Sequence, residues 1–478
     1  VDQSKRADRM VERLSDAAQR AGATLVHDDF LVRENLNLVE EPHVITGGFE
    51  KEFLGLPEDV IVAVAKGHQR YFCARGPQGA LAPIYLAVAG TAQNPQNVRR
   101  GNDRVMRARL SDARFFFEED LKIGLEDRRE KLAGIVFQDR LGSVLDKVER
   151  MERVVPHMAG ALGLSADVCD VALEGARLCK CDLATLMVGE FPELQGEMGG
   201  EYARRQGRRA EVADVIYGHY QPKGASDATA LTEPSAVVAI VDRLDTLVGC
   251  FSVGLSPTGA ADPYALRRAC LGVIRTVLDR GWDFSVKQSV ELAYKAFAGK
   301  KLDLAEGALI SKLSDFFRDR LRGVLTERYP TDVVDACLAA GYDRPTDVRD
   351  RVQALSELEQ SLRSKAGEVF KRATNIAKEA PSGEPVDPKQ VATSEVHDSE
   401  IAVYGALAEL DGRLKQAQQA RNYPAAFSAI ASFAPLLGVF FEAVFVMTDE
   451  IPVRENRLRL MRAISERCSG VAHFNLLA

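Results

Sequence analysis

The sequence predicts a mainly α, multidomain protein with an N-terminal α+β block. Three observations carry that expectation. At 478 residues the chain exceeds what one hydrophobic core usually organises. Short β-rich runs are confined to the first hundred residues, and from about Gly101 onward nearly every apolar pattern has helical period.

The first element is a helix over residues 4–22, where Met10, Leu14, Ala17 and Ala21 form an apolar stripe that Gly22 closes. Three runs then have strand composition: 60–64, 71–74 and 84–89. Gly76-Pro-Gln-Gly79 separates the last two, a hairpin signature. Helices are predicted over 104–120, 125–133, 140–162, 177–189, 210–217 and 235–248. Pro234 suits the start of the last and Gly249 its end. Residues 249–263 form a Gly/Pro-rich break before helices resume at Tyr264. Residues 379–400 hold three prolines and almost no apolar pattern, which predicts a linker or exposed loop. The remainder is helical, over 402–420, 423–437, 440–447 and 453–472.

Composition narrows the function classes. With 46% hydrophobic and 27% charged residues the chain has the balance of a soluble globular protein. No apolar run is expected to cross a bilayer, because Ser428, Ser432, Pro435 and Glu442 interrupt the most apolar stretch, 425–447. The N-terminus is not a signal peptide, and the missing initiator Met predicts that the sequence begins inside a longer chain. Eight scattered cysteines, of which only Cys179 and Cys181 lie close, point to buried reduced thiols. A net charge of −7 argues against a uniformly basic coat but leaves room for local basic patches. There is no phosphate loop, no Gly-x-Ser-x-Gly elbow and no His-Glu-x-x-His, so no catalytic residue and no metal is assigned.

Lys180-Cys-Asp-Leu-Ala-Thr-Leu and the run to Gly199 look like part of a helical HD-type phosphohydrolase stripped of its metal chemistry. Asp182 keeps the acidic position, Cys181 stands where such an enzyme has His, and Asp242 sits where a closing Asp is expected. Two acids without imidazoles make a poor transition-metal site, so these residues are expected to hold helices together, by capping or by pairing with neighbours such as Arg243. The opposing reading keeps a hydrolase, with His157 or His219 rescuing a metal. His68, in Gly67-His-Gln-Arg-Tyr-Phe72, is a general base only if a nucleophile exists, and none stands at a recognisable spacing.

Four basic clusters are candidate RNA contacts. Arg107 and Arg114 flank Leu110 and Ser111 at i, i+3, i+4 and i+7, beside a second row of Val105, Ala108, Asp112 and Phe115. Such a helix offers arginines to phosphates while its aromatics anchor it; the competing reading is a solvated face of internal ion pairs. Arg204, Arg205, Arg208 and Arg209 form the densest cluster, suited to an RNA backbone or simply to a charged loop. Lys371 and Arg372 sit before the 379–400 segment, and Arg454, Arg457, Arg459 and Arg462 crowd the last helix, where arginines can read unpaired bases.

Taken in order, a set of motifs resembles the β subunit of the bacterial-type heterotetrameric glycyl-tRNA synthetase. The early ones are Leu38-Val-Glu-Glu-Pro-His-Val, Gly48-Phe-Glu-Lys-Glu-Phe-Leu, Gly67-His-Gln-Arg-Tyr-Phe and Gly101-Asn-Asp-Arg-Val through Phe117. Phe137-Gln-Asp-Arg-Leu-Gly-Ser, Asp146-Lys-Val-Glu-Arg, Lys180-Cys-Asp-Leu through Gly196 and Asp242-Arg-Leu-Asp-Thr-Leu-Val-Gly follow. The last are Pro257-Thr-Gly, Asp262-Pro-Tyr-Ala-Leu-Arg-Arg, Asn375-Ile-Ala-Lys, Phe445-Val-Met and Asn456-Arg-Leu. The resemblance covers essentially the whole chain and implies that an N-terminal part of the family chain is missing.

It implies an α+β domain over 1–118, a helical connector over 119–145 and a degenerate HD-like helical domain over 146–256. A helical connecting domain (257–378), a linker (379–399) and an anticodon-binding-like bundle (400–478) follow. It implies a tRNA-binding chain of a cytoplasmic glycine–tRNA ligase, assembled as α2β2, with no membrane partner. Glycine activation, with ATP and Mg, is expected on the α subunit, with no cofactor in this chain. The alternatives are an HD-type phosphohydrolase and a structural scaffold for the α subunit.

Overall fold

A computed structural model describes residues 2–67, 69–91, 93–224, 226–391 and 395–477. His68 lies outside them. The chain divides into two compact units: residues 1–156, 165–220 and 230–239 form the first, and 157–164, 221–229 and 240–478 the second.

The first unit opens with α1 (Gln3–Arg20), whose Met10, Leu14, Ala17 and Ala18 are buried. Asp2 caps it by accepting from the Ser4 N–H. After β1 (Thr24–Leu25) comes α2 (Asp29–Leu38), capped by Asp28, and then β2 (His43–Gly48). Residues 60–64, expected as strand, belong instead to α3 (Glu58–Gly67). A short apolar run does not distinguish a strand from a buried helical segment. Here Pro57 and two acids in the first turn start a helix, which buries Val60, Ile61, Val64 and Ala65.

The expected hairpin is present as β3 (Phe72–Arg75) and β4 (Leu81–Ala89), with Gly79 at positive φ in its turn. The four strands form an antiparallel sheet in the order β1-β3-β4-β2, and one face packs with α1 and α2 around Leu14, Leu31, Phe72 and Leu86. The 27-residue α4 (Pro95–Leu121) buries Met106, Leu110, Ala113 and Phe117. Asp103 on α4 accepts from the Gly48 N–H at 3.0 Å and the Tyr85 hydroxyl at 2.7 Å, so the Gly-Asn-Asp-Arg-Val motif fastens this helix to the sheet. A Cβ on Gly47 would lie 2.1 Å from the Tyr85 ring, which makes glycine obligatory there.

The expected 125–133 helix is a 3-10 segment, Glu126–Gly134. A two-stranded ribbon, β5 (Val136–Gln138) with β6 (Gly142–Ser143), leads into α5 (Val144–Ala161). The expected 177–189 helix is broken in two. The α6 helix (Ala166–Leu178) stops before a 3-10 turn at Cys181–Ala184, and the short α7 (Leu186–Glu190) follows it. Then come α8 (Glu197–Arg205), α9 (Ala210–Gly218) and α10 (Glu233–Ser252).

The second unit is helical: α11 (Leu266–Arg280), α12 (Val286–Lys295), α13 (Glu306–Thr326), α14 (Thr331–Ala339) and α15 (Pro345–Glu357). Its C-terminal part is a bundle of α16 (Gln360–Ala377), α17 (Asp398–Gln419), α18 (Tyr423–Ala443) and α19 (Ile451–Ser469), in which α16 packs on α18 and α19, and α17 on α18. The expectation that no helix reaches membrane-spanning length is corrected by α18, which is long and apolar enough by composition alone. Its apolarity also serves the bundle, where Phe427, Ile430, Leu437 and Phe440 are buried, with Phe427 against Phe474.

Residues 381–386, within the stretch expected as a linker or exposed loop, lie along α19. Arg459 donates to the Ser382 carbonyl at 3.1 Å, and Arg462 to those of Pro381 and Gly383 at 2.7 and 2.6 Å. Asn456 exchanges two hydrogen bonds with the Val386 backbone.

Candidate nucleic-acid interface and a buried acid pocket

Asp182 sits in the 3-10 turn after α6, fully buried in the first unit. Its Oδ2 accepts from the Gly196 N–H at 2.6 Å and the Gly199 N–H at 3.2 Å, while Oδ1 has no hydrogen-bond donor among the described residues. Gly196 stands at φ +87, and a Cβ on Gly199 would come within 2.9 Å of the carboxylate and 2.6 Å of Ile216. The glycines of Gly196-Glu-Met-Gly199 therefore let two backbone amides reach one buried carboxylate.

Lys180 supplies the pocket's cation. Its ammonium lies 2.8 Å from His219 Nε2 and 4.0 Å from the centre of the Tyr220 ring, and both Lys180 and His219 are buried. His219 Nδ1 is 2.7 Å from the Ile216 carbonyl, which fixes the proton on Nδ1 and leaves Nε2 to accept from the ammonium. Beside them, burial and then the Asp182 charge push the Cys181 thiol up to about 12, too high for a thiolate ligand. Asp242 belongs to the second unit, half-buried on α10, next to Arg243, whose guanidinium donates to the Pro222 carbonyl at 3.0 Å. His157 also belongs to the second unit. Among the described residues no three His, Cys, Asp or Glu side chains come together to hold a metal, so nothing observed favours the hydrolase reading.

Burial raises the Asp182 carboxyl from 3.8 to about 6, against the opposing pull of the Gly196 amide and the Lys180 charge. The folded state thus holds this proton more tightly than the unfolded chain. The group's contribution to stability is greatest below pH 4 and declines as pH rises to 6, by roughly 3 kcal/mol. Asp182→Asn, which keeps an acceptor for both amides, removes that dependence. The difference between parent and variant denaturation curves over pH 4–7 measures it, and parallel curves would disprove this titration.

The basic candidates divide by their partners. On α4, Arg107 pairs with Glu50 at 2.5 Å, and Arg114 lies over the Phe53 ring and 3.3 Å from Glu52. Phe117 anchors the helix, whereas Phe115 and Val105 point to solvent. All four arginines of the 204–209 cluster are engaged: Arg204 with Asp214 (2.8 Å), Arg205 with Glu201 (2.7 Å), Arg208 with Glu126 and Glu174, and Arg209 with Asp167. Exposed pairs of this kind are weak and exchangeable, so phosphates can replace the carboxylates.

In the C-terminal bundle Lys371 is exposed with no ion-pair partner among the described residues, and Arg372 lies 4.4 Å from the Phe441 ring centre. Arg454 reaches the Thr448 carbonyl at 3.4 Å. Arg457 is mostly buried and pairs with Glu400, itself 2% exposed, at 2.6 Å. The sequence did not signal two further buried anchors. Arg128 on the 3-10 segment pairs with Asp120 at 3.1 Å, and Arg351 donates to Asp347 and to the carbonyls of Cys337, Gly341 and Val471.

By comparison with known families, the helical bundle that ends the chain falls in the class of anticodon-binding modules. Residues 368–468 match the DALR anticodon binding domain. Residues 1–339 match the family described as Glycyl-tRNA synthetase beta subunit, and the chain belongs to that family. It is 41% identical over 480 residues to the glycine–tRNA ligase beta subunit of Anaeromyxobacter dehalogenans (strain 2CP-C), covering 99% of this chain and 68% of that relative. The corresponding subunits of Myxococcus xanthus and Desulforamulus reducens are 40% and 37% identical, with the same coverage. The chain thus spans about two thirds of the length of these relatives.

Proposed function

We propose that this chain is the tRNA-recognition half of a glycine–tRNA ligase. The carrying observation is the order of the two family matches, a glycyl-tRNA synthetase beta region over 1–339 and an anticodon-binding domain over 368–468. In this reading a separate α subunit activates glycine with ATP and Mg, in a cytoplasmic α2β2 complex. The β chain converts tRNA binding energy into proximity of the terminal ribose and the glycyl-adenylate. Residues 146–256 serve as a degenerate HD-type scaffold, and the Lys180–His219 contact supports that role by giving the remnant pocket an internal cation. The N-terminal block, the connecting helices of 257–378 and the bundle after the 379–399 segment are its other domains.

Among the four candidate cations of the bundle, Lys371 is exposed and Arg454 holds a single hydrogen bond, at 3.4 Å. Lys371→Ala/Arg454→Ala, assayed with the α subunit, is expected to lower kcat/KM for glycine tRNA charging roughly tenfold, as loss of two phosphate or base contacts would. Glycine-dependent ATP–pyrophosphate exchange stays unchanged. Undiminished charging would remove the bundle from tRNA recognition, and a parallel loss of exchange would overturn the division of labour.

A further inference from the structure

The second unit contains a cleft of about 750 Å³ between α11, the end of α13 and α15. Five arginines line it, Arg267, Arg268, Arg275, Arg328 and Arg349, against three carboxylates, Asp262, Asp279 and Glu327. Two of those acids are already engaged. Asp262 accepts from the Leu266 and Arg267 N–H groups at 2.8 and 3.0 Å, capping α11, and Asp279 accepts from the Thr229 hydroxyl at 2.9 Å.

Three of the arginines are oriented by carbonyl oxygens. Arg267 donates to Gly259 at 2.6 Å, Arg275 to Gly224 and Asp227 at 3.2 and 2.6 Å, and Arg349 to Leu278 at 3.1 Å. Arg349 also pairs with Asp350. Arg268 and Arg328 are exposed and have no hydrogen-bond or ion-pair partner for their side chains among the described residues. The arginines of the 204–209 cluster all have carboxylate partners, so the unengaged positive charge here is of a different kind.

We infer that this cleft binds backbone phosphates of the tRNA, with Arg268 and Arg328 making the contacts. The site rests on the tRNA-binding reading above and adds to it a surface outside the anticodon-binding module. Free nucleotide phosphates share the same chemistry. They are the poorer fit because Asp262 already occupies the amides at the start of α11, so no backbone cradle is left for a compact polyphosphate. Unpaired arginines at an open rim suit phosphates spaced along a strand.

The test is binding of glycine tRNA to the chain, titrated over salt, for the parent, Arg268→Gln/Arg328→Gln and Arg268→Lys/Arg328→Lys. The Gln pair is expected to weaken binding about tenfold at low salt and to reduce the slope of log K against log salt by roughly 1.4–1.8, at about 0.7–0.9 per lost phosphate contact. The Lys pair retains the slope. Since neither side chain has a hydrogen-bond or ion-pair partner among the described residues, thermal unfolding of both variants should match the parent. An unchanged affinity and slope in the Gln pair overturns the assignment while leaving tRNA binding elsewhere intact. Failure of the parent to bind tRNA removes the underlying reading and this site together. ATP, but not tRNA, protecting Arg268 and Arg328 from dicarbonyl modification would make the cleft a free-nucleotide site and overturn the proposal as well.

Discussion

Asp120→Ala is expected to destabilise the first unit by about 3–5 kcal/mol, the cost of leaving a buried charge without its partner. Asp120 ends α4, and four donors converge on its carboxylate. The Leu186 and Met187 N–H groups each donate at 2.9 Å, the Tyr202 hydroxyl at 3.0 Å, and the Arg128 guanidinium lies 3.1 Å away. Two of those donors are orphan amides of the first turn of α7, so Asp120 acts as a cap supplied from another helix. Arg128 is 4% exposed and also donates to the Asp120 and Ala184 carbonyls. Removing the carboxylate strands the cation, the two amides and the Tyr202 hydroxyl, whose titration burial and Asp120 already push well above its ordinary value.

Arg128→Met in the Asp120→Asn background removes both charges while retaining side-chain volume, and should cost less than the sum of the single changes. Denaturant unfolding together with amide exchange at Leu186 and Met187 measures the effect. Because a two-unit chain need not unfold in one step, the local exchange readout is the more direct. A loss below about 1 kcal/mol for Asp120→Ala would show that the pair is not a structural anchor.

The sequence disclosed periodicity well and partnership poorly. Helices such as α1, α9 and α17 follow from stripes like Met10, Leu14 and Ala17, and the β3–β4 hairpin follows from Gly76-Pro-Gln-Gly79. The 60–64 run was misleading because Val and Ile fit a strand or a buried helical face equally. The packing of Val60, Ile61 and Val64 decides the matter, and that is a tertiary fact. The 177–189 pattern hid a break because the 3-10 turn at Cys181–Ala184 is dictated by Asp182 reaching the amides of Gly196 and Gly199, fourteen and seventeen residues away.

The same limit applies to charge. Arg204, Arg205, Arg208 and Arg209 stand out in the sequence by their density, and each turns out to face a carboxylate. Arg268 closes the Asp262-Pro-Tyr-Ala-Leu-Arg-Arg motif, but nothing in the sequence marks Arg328, sixty residues on, as its neighbour until the fold brings both to one cleft.

Arg457 shows the consequence most sharply. From its position among the terminal arginines it is a candidate RNA contact, yet its Nε and Nη2 donate to one Glu400 oxygen at 3.0 and 2.6 Å, and Nη1 donates to the Phe445 carbonyl at 3.0 Å. One guanidinium thus joins α17, the segment after α18, and α19. Glu400 lies in the first turn of α17, where the helix dipole favours a carboxylate but burial makes an unpaired one costly. Arg457→Ala is therefore expected to destabilise the bundle by about 3–5 kcal/mol, whereas Arg454→Ala, losing one long hydrogen bond, should cost less than about 1 kcal/mol.

Stability alone does not separate the two roles, since a bundle that loosens also loses RNA. Glu400→Gln/Arg457→Met removes the charge pair without stranding either partner and should recover most of the lost stability. If Arg457 is only an anchor, tRNA affinity and its salt slope in this double variant return to the parent values. If Arg457 also meets RNA, the fold recovers but the affinity stays low and the slope remains reduced by roughly 0.7–0.9. The burial of Glu400 and the three bonds on one guanidinium favour the first outcome, because an arginine so held would have to abandon a buried carboxylate to reach a phosphate.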